Sequence, residues 1–244
     1  MPETNIQDAA LHNRLLAALP KDEFDKIRPS LELVSLEPGE ILWEAEAQRQ
    51  HIYFPTTALI CLLYDSSEGV SIEVGMTGRQ GLVGVSTFMS GASMATRAVA
   101  YRGGEAYRMK AGDVKDEFGE CGDFQDICMY FTETLIVQIS QSAICNRIHS
   151  VDQKLCRFLL YIHDHQASGL FLLTHEQIAQ VLGVRRESVS VAAAHLQELG
   201  LIRYSRGKIE LISRKRMENA ACECYHVETE HYNRVLGKYI AKHR

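Results

Sequence analysis

The spacing of hydrophobic residues near the start of the chain predicts a short helix. Leu11, Leu15, Leu16 and Leu19 follow one another at steps of one to four residues, and Pro20 comes directly after them. Apolar residues three or four positions apart share one face of a helix, whereas a proline interrupts the helical hydrogen bonds. We therefore expect a leading helix that ends before Pro20.

From residue 31 to about residue 118 the pattern changes to short apolar stretches separated by turns that contain Gly or Pro. Residues 31–34, 51–54 and 70–74 are examples of these stretches. Many short strands with frequent turn signals are typical of a β sandwich or barrel. This region therefore predicts a jelly-roll-like β domain.

A long helix is predicted from residue 123 to about 149, because this segment contains neither Pro nor Gly. Its apolar residues recur at three- or four-residue steps and form one stripe of Phe124, Cys128, Phe131, Leu135 and Ile139. Such a stripe packs either on the chain's own β domain or against the same helix of a second chain. We favour the second arrangement, because the pattern described next calls for two-fold symmetry. A further helix, from residue 151 to about 165, leads into the C-terminal region.

Residues 174–190 carry the pattern of a helix-turn-helix. Thr174 and Gln177 have the spacing of a capping box, in which each side chain satisfies a free backbone N–H at the start of a helix. Gly183 permits a tight turn after the first helix. The inward face of that helix is predicted to contain Ile178, Ala179 and Leu182.

The helix after this turn is expected to enter the major groove of DNA. Its buried face is predicted to contain Val189, Ala193, Leu196 and Leu199. The candidate DNA-binding residues at its start are Arg185, Arg186, Glu187, Ser188 and Ser190, together with Thr174 at the start of the first helix. In the major groove, Arg pairs with guanine through two hydrogen bonds, and Glu accepts a hydrogen bond from cytosine.

A hairpin with a basic tip is predicted to follow this helix. Residues 201–204 and 208–212 read as two strands around the turn at residues 205–207. Such a wing lies beside the duplex and places Arg206 and Lys208 near phosphates. These contacts increase the affinity but carry little sequence information.

The distribution of charge supports this interpretation, although the whole chain has a formal net charge of −5. Residues 1–150 contain 12 Lys and Arg against 21 Asp and Glu, whereas residues 151–244 contain 14 against 10. From Arg185 to Arg216 there are 8 basic and 3 acidic residues. Positive charge is thus concentrated where a phosphate-binding surface is needed.

Three further features bear on the cellular compartment. No apolar run approaches the roughly 20 residues of a membrane-spanning helix, and the first residues lack the basic region of a signal peptide. The 7 cysteines have no regular spacing, which fits reduced thiols better than a set of disulfides. We therefore expect a cytoplasmic protein with no membrane partner.

These motifs resemble the Crp/Fnr superfamily of bacterial transcription regulators over nearly the whole chain. Residues 182–190 are similar to the family's recognition-helix motif, and residues 199–202 to its helix-to-wing junction. Residues 37–42 and 75–84 resemble turns of its cyclic-nucleotide-binding-type β domain. The resemblance implies an α+β fold in three parts: a jelly-roll (cyclic-nucleotide-binding-like) effector domain at 1–122, a dimerisation helix at 123–150 and a winged helix-turn-helix domain at 151–244.

The resemblance also implies a function. The expected protein is a homodimer in which an effector, bound by the β domain, repositions two helix-turn-helix modules on a two-fold symmetric operator in double-stranded DNA. RNA polymerase is a further expected partner, no cofactor is expected, and the effector small molecule stays open. The alternative is a dimeric cyclic-nucleotide or other small-molecule sensor or adaptor with weak or no DNA binding.

The expected effector pocket departs from the cyclic-nucleotide binders of this superfamily. Those proteins carry a Gly-Glu-hydrophobic-Gly turn, whose Glu holds the ribose, and a later Arg that holds the cyclic phosphate. Here the turn reads Gly81-Leu82-Val83-Gly84, and an ungapped placement puts Met94 at the position of the Arg, three residues before Arg97. Because a charge-assisted hydrogen bond would be lost, we expect no binding of cyclic AMP in the usual way. A placement shifted by one or two positions would return Arg97 to the phosphate.

Two positions of the recognition helix also differ from the family. Arg185 stands where a Ser commonly caps the helix, and Val191 replaces a frequent second Arg. We therefore expect an operator sequence different from that of the best-known members.

Metal sites and catalysis are not expected from the sequence. The first cysteine is Cys61, and no run typical of an iron–sulfur cluster follows it. Cys222, Cys224 and His226 form a Cys-x-Cys-x-His run, but a helix does not point all three side chains in one direction. The β region contains the single histidine His51, which is too few ligands for a metal-dependent enzyme, so no catalytic residue is proposed.

Overall fold

A computed structural model describes residue 10 and residues 12–68, 71–165, 170–205 and 207–242. The chain forms two compact units. The first contains the residues up to Tyr64, Gly75–Ile136 and the chain from His231 onward, and the second contains Asp65–Val74 and Val137–Glu230. The predicted division into 1–122, 123–150 and 151–244 stays a prediction.

The first unit contains most of the predicted β domain, whose strands form two sheets. In one sheet, β7 (Gly104–Lys110) pairs antiparallel with β1 (Glu32–Leu36) and with β3 (His51–Pro55). Residue pairs such as Phe54 and Tyr107 lie opposite each other in this sheet. Two short helices, α1 (Lys21–Ile27) and α2 (Ala111–Gly119), flank these strands in sequence.

The second sheet of the β domain has the strand order β2, β6, β4, β5. Its strands are β2 (Ile41–Trp43), β4 (Leu59–Asp65), β5 (Ser71–Thr77) and β6 (Arg97–Arg102). Alternate residues of these strands point into a core that excludes water. The buried members of this core include Leu36, Trp43, Tyr53, Ile60, Val83, Ala98, Ala100 and Ala106.

The predicted leading helix does not continue through residues 12–19, which contain the 3-10 turn Leu16–Ala18, although Ala10 is helical. Leu11 lies outside the described residues. The cause is Asn13, whose buried side-chain oxygen accepts hydrogen bonds from the backbone N–H groups of Leu15 and Leu16. A short polar side chain that binds nearby backbone groups competes with regular helix formation.

The predicted long helix is present as α3 (Asp123–Ile148) and has two apolar stripes rather than one. Four members of the predicted stripe are buried within the chain, namely Phe124, Cys128, Phe131 and Leu135, while Ile139 is half-buried. A second stripe is exposed and consists of Met129, Ile136, Ile144 and Ile148. The stripe that we predicted to contact a second chain is therefore packed within this chain.

Within the described residues, the second unit contains the last part of α3, further helices and a small sheet. Its helices are α4 (Val151–Asp164), α5 (His175–Leu182), α6 (Arg186–Glu198), α7 (Arg214–Ala220) and the first part of α8 (Glu223–Lys242). Its sheet has the order β8 (Leu170–Leu172), β10 (Lys208–Leu211), β9 (Ile202–Ser205), with antiparallel pairs. The hairpin of β9 and β10 was predicted, but β8 was not, since a three-residue strand has too short a pattern to recognise.

Candidate nucleic-acid interface

The first helix of the predicted helix-turn-helix begins with the expected capping box. The backbone N–H of Gln177 donates to the Thr174 hydroxyl at 3.2 Å, and the backbone N–H of Thr174 donates to the Gln177 side chain at 2.9 Å. Two donors at the start of α5 are thereby satisfied. The Thr174 side chain is exposed but already engaged in this cap.

The turn after α5 and the packing of both helices follow the predicted pattern with one exception. Gly183 has a φ of +61°, a left-handed conformation that favours glycine. Predicted inward residues that are buried are Ile178, Ala179, Leu182, Val189, Ala193 and Leu196. The prediction for Leu199 is wrong, because its side chain is 46% exposed. Leu199 stands at the end of α6, where the helix gives way to Gly200 and the wing.

The start of α6 presents charged side chains that have no partner among the described residues. Arg185, at the position before the helix, makes no side-chain capping hydrogen bond, as its replacement of Ser predicted. Arg185, Arg186 and Glu187 are exposed, and Ser188 is half-buried beside them. Unpaired charges at the N-terminal end of a helix are available to a ligand, and free backbone N–H groups there favour an anion.

Ser190 differs from the other predicted contacts because its hydroxyl is held within the protein. Ser190 Oγ lies 2.8 Å from His175 Nδ1 and donates a hydrogen bond to the Arg186 carbonyl at 3.1 Å. The imidazole of His175 also stacks on the ring of Tyr204, with centroids 4.3 Å apart. The three contacts connect α5, α6 and the first strand of the wing. Sequence patterns did not identify His175 or Tyr204 as part of this surface.

Electrostatics at His175 favour the neutral form of its ring. Burial lowers the pKa of His175 from its ordinary value, and the positive charge of Arg186 lowers it further. Because Ser190 donates its hydroxyl hydrogen to the Arg186 carbonyl, the Ser190 oxygen is free to accept a hydrogen bond from the Nδ1–H of a neutral imidazole. A protonated ring would add a second positive charge beside Arg186.

The wing is formed by β9 and β10, with Ser205 opposite Lys208 in the register. Lys208 is exposed and forms no ion pair with any described residue. Arg206, the other predicted phosphate contact, lies outside the described residues. Arg203 is exposed but pairs with Glu210 at 2.7 Å, so one basic side chain of the wing is partly neutralised.

Polar contacts from α4 and α7 hold the helix-turn-helix in place. His195 of α6 lies 2.6 Å from the Asp152 carboxylate of α4, and the backbone N–H of Tyr204 donates to Gln197 at 2.7 Å. Arg214 of α7 contacts Asp164, whose other oxygen accepts a hydrogen bond from the Tyr225 hydroxyl at 2.7 Å. These contacts connect the end of α6 to α4 and to the wing, and they connect α4 to α7 and α8.

Residues predicted for the effector pocket belong largely to the packed core. Leu82 and Val83 are buried, and Val83 exchanges two backbone hydrogen bonds with Tyr53, at 2.8 and 3.0 Å. Gly84 has a φ of +112°, and Gly81 packs against the ring of Phe131. Met94 is exposed and Arg97 is half-buried. Buried apolar side chains cannot present polar groups to a ligand.

A polar cavity of about 150 Å³ lies next to this turn and was not predicted. Its lining includes Arg49, Ser86, Thr87 and Lys115, and none of the six predicted pocket residues. The hydroxyls of Ser86 and Thr87 are buried without a hydrogen-bond partner among the described residues. Burial lowers the pKa of Arg49, whose guanidinium lies over the Trp43 ring. Only Val85 separates Ser86 and Thr87 from Gly84, so placing the motif two or three residues later would have identified them.

The Cys-x-Cys-x-His run does not act as one unit in the structure. Cys222 and Cys224 lie beside Cys145 and His149, while the side chain of His226 is exposed. Cys145 and His149 are more than 70 residues earlier in the chain, so the sequence pattern alone did not connect them.

Comparison with known proteins identifies the second unit's main module. Residues 153–220 match the family model described as the Crp-like helix-turn-helix domain. No curated protein matches the sequence. Within the described residues, none of the helices combines the length and the apolar character that a bilayer crossing requires.

Solved structures share this fold, and two of the following three are described as regulatory proteins. A protein described as a transcriptional regulator of the Crp/Fnr family from Eubacterium rectale is 19% identical, with a TM-score of 0.66 over 86% of this chain and 98% of its own. FixK2 from Bradyrhizobium japonicum is 17% identical, with a TM-score of 0.68 over 79% and 98%. A protein from Silicibacter pomeroyi, described as a cAMP-binding regulatory protein, is 18% identical, with a TM-score of 0.63 over 90% and 99%.

Proposed function

We propose that this chain, which has the Crp/Fnr fold and carries a Crp-like helix-turn-helix domain, is a sequence-specific DNA-binding transcription regulator. The observation that carries the proposal is the exposed start of α6, where Arg185, Arg186 and Glu187 are held on a buried scaffold and have no partner among the described residues. Arg186 and Glu187 are proposed to contact bases. Arg185 and Lys208 are proposed to contact phosphates.

We further propose that the protein acts as a homodimer on a two-fold symmetric operator. The exposed stripe of α3 supports this, since Ile136 and Ile148 are 59% and 63% exposed on a helix without Pro or Gly. Met129 and Ile136 are seven residues apart, the spacing of a helix that packs along a partner helix. A second copy would bury the same stripe on both helices and thereby remove apolar surface from water.

We infer that cyclic AMP does not control this protein in the usual way. The turn at residues 81–84 presents Leu82 where a carboxylate would be needed, and that side chain is buried in the core. The polar cavity beside it is the proposed effector site. Its lining includes two cationic side chains, Arg49 and Lys115, and no carboxylate, so the expected effector is a small anion.

Selection of duplexes from a random pool, followed by titration of the selected duplex at several salt concentrations, tests the DNA-binding proposal. We expect enriched sequences with two inverted half-sites and an affinity that falls steeply with salt, because each phosphate contact releases counterions. A protein that leaves all duplexes unbound at low salt, with and without a small-molecule extract, would instead be a sensor or adaptor.

A further inference from the structure

A cluster of three cysteines and one histidine lies in the second unit, apart from the proposed DNA-binding surface. The ligand atoms of Cys145, His149, Cys222 and Cys224 all lie within 4.8 Å of one another. Cys145 Sγ is 3.6 Å from Cys222 Sγ, and Cys224 Sγ is 3.6 Å from His149 Nδ1. All three cysteines are buried, and the His149 side chain is only 8% exposed.

We propose that these four side chains bind one Zn²⁺ ion in a tetrahedral Cys3His site. With Zn–S bonds of about 2.3 Å and a Zn–N bond of about 2.0 Å, a tetrahedron places two sulfurs about 3.8 Å apart and a sulfur and a nitrogen about 3.5 Å apart. The two distances of 3.6 Å agree with both values. The other distances between ligand atoms, which are at most 4.8 Å, need to shorten only a little to fit the same tetrahedron.

The two ligand pairs come from helix ends that present them toward each other. Cys145 and His149 are four residues apart at the end of α3, so they lie on the same face. Cys222 precedes α8 and follows the extended residue Ala221, whereas Cys224 lies in the first turn of α8, and both sulfurs lie at the cluster. The helical geometry that separates His226 from Cys224 does not apply to Cys222.

Neighbouring side chains complete the surroundings that a zinc site requires. His149 uses Nδ1 toward the cluster, while its Nε2 lies 3.2 Å from the Glu223 carboxylate. A carboxylate on the second nitrogen orients a metal-bound histidine and fixes its tautomer. The half-buried guanidinium of Arg157 contacts Cys145, forms an ion pair with Glu228 and donates to Ser142 Oγ at 3.0 Å. Three thiolates and one Zn²⁺ leave a net negative charge, and the guanidinium, shared with Glu228, lies beside it.

A single zinc ion fits this cluster better than an iron–sulfur cluster or a disulfide. An iron–sulfur cluster places several irons and sulfides between its protein ligands, whereas these ligand atoms all lie within 4.8 Å. A Cys145–Cys222 disulfide would use two of the four side chains and leave no role for Cys224 with His149. Soft thiolates and an imidazole in tetrahedral arrangement are the ligands that select zinc.

The site would close a loop that contains the whole helix-turn-helix domain. Residues 153–220, which match the Crp-like domain, lie between the ligand pair of α3 and the pair at the start of α8. Binding releases the three thiol protons and stabilises the folded state, because the unfolded chain has no preformed site. Zinc would therefore fix the base of the DNA-binding domain.

The metal content of the full-length protein, purified with reducing agent and zinc, tests this site. We expect about one zinc per chain by elemental analysis. Cys145→Ser and Cys222→Ser should each abolish stoichiometric binding, whereas Cys156→Ser, which removes a buried cysteine outside the cluster, should retain it. Cobalt titration of the unaltered apoprotein provides a readout that does not depend on variant folding. It should produce intense visible bands of tetrahedral Co²⁺ with thiolate ligands, and zinc should remove them.

Three results would overturn the proposal. They are a zinc content far below one per chain together with no tetrahedral cobalt spectrum, zinc retained fully by both cluster variants, and an iron–sulfur absorption spectrum in anaerobically purified protein. None of these measurements uses DNA, so the zinc site and the DNA-binding function can fail separately.

Discussion

The Nδ1 atom of His175 lies 2.8 Å from the hydroxyl oxygen of Ser190, and this contact connects the two helices of the helix-turn-helix. Stacking of the same imidazole on Tyr204 extends the connection to the wing. A single half-buried ring thus fixes the position of α6 relative to α5 and β9. Burial and the charge of Arg186 both lower the pKa of His175, so the neutral imidazole is favoured at this contact.

Acid is therefore expected to weaken the folded state through His175. In the unfolded chain its pKa returns to about 6.5, so as the pH falls below that value the unfolded state takes up a proton before the folded state does. The stabilisation is present above pH ~6.5 and is lost as the pH falls through the lower, folded pKa. Urea unfolding between about pH 8 and pH 5 measures this slope.

His175→Gln is expected to reduce that loss of stability at acid pH relative to the unaltered protein. His12→Gln removes an exposed imidazole from the first unit and serves as the control. If both substitutions changed the slope equally, the assignment of the effect to His175 would be wrong.

Arg186→Ala is expected to relax discrimination at one base position of the selected operator. One bidentate contact with guanine accounts for about 1–3 kcal/mol, so the preference at that position should fall by about one to two orders of magnitude. Lys208→Ala should instead weaken all duplexes by a similar factor and reduce the salt dependence by about one counterion. Binding measured on a set of single-base operator variants distinguishes the two patterns.

Lys21→Ala is the control for loss of positive charge, because Lys21 is exposed in α1 of the first unit. Its affinity for every duplex should match that of the unaltered protein. A uniform loss of affinity in Arg186→Ala, with base preferences unchanged, would show that Arg186 contacts only phosphate.

Gly81→Ala is expected to destabilise the first unit by about 1–3 kcal/mol, the usual cost of adding atoms to a packed core. A Cβ atom at Gly81 would lie 2.0 Å from Cε2 of Phe131, in the buried stripe of α3. The midpoint of urea unfolding should fall accordingly. Gly112→Ala is the matched control, because no heavy atom lies within 4 Å of its added Cβ and alanine favours the helix α2. Equal midpoints for the two variants would refute the steric argument.

Asn13→Ala is expected to cost about 2–4 kcal/mol of unfolding free energy, because it removes several buried hydrogen bonds at once. The Asn13 amide donates to the carbonyls of Pro55 and Gly81 at 2.9 and 2.8 Å. Both carbonyls would lose this buried donor. Asn219→Ala, at an exposed position, should change the unfolding free energy by less than about 0.5 kcal/mol. A comparable loss in both variants would contradict this role of Asn13.

Ile136→Glu is expected to convert the proposed dimer into a monomer in sedimentation velocity experiments. A charge placed in the centre of an apolar interface cannot be solvated there. Leu33→Glu changes an exposed apolar residue of β1 and should leave the oligomeric state unchanged. A sedimentation coefficient that is the same in Ile136→Glu and in the unaltered protein would exclude this stripe as the interface.

Local patterns predicted the helix-turn-helix well because its signals lie close together in the chain. The Thr174–Gln177 cap and the glycine turn at Gly183 depend on neighbours within four residues, and both are found. The prediction for Leu199 was wrong because a periodic pattern does not show at which residue neighbouring elements stop burying a helix. The turn at Asn13 was not predicted, because the carbonyls that hold its side chain, those of Pro55 and Gly81, are distant in sequence and leave no local pattern.

The two sites that sequence patterns missed both require long-range proximity. Arg49 and Lys115 reach one cavity from different elements of the β domain. Cys145 and Cys222 are 77 residues apart, and only the fold brings their sulfurs together. Spacing rules recognise metal ligands within one segment, and here each segment contributes only two.

Val191 is 70% exposed one position after Ser190, on the side of α6 that also presents Glu187 four residues earlier. An isopropyl group offers no hydrogen bond to a base edge, and the one apolar group in the major groove is the methyl of thymine. An operator bound in this orientation should therefore place a thymine opposite Val191. Cytosine methylated at carbon 5 carries the same methyl group, so methylation of a cytosine at that position would change the affinity of the protein for the operator.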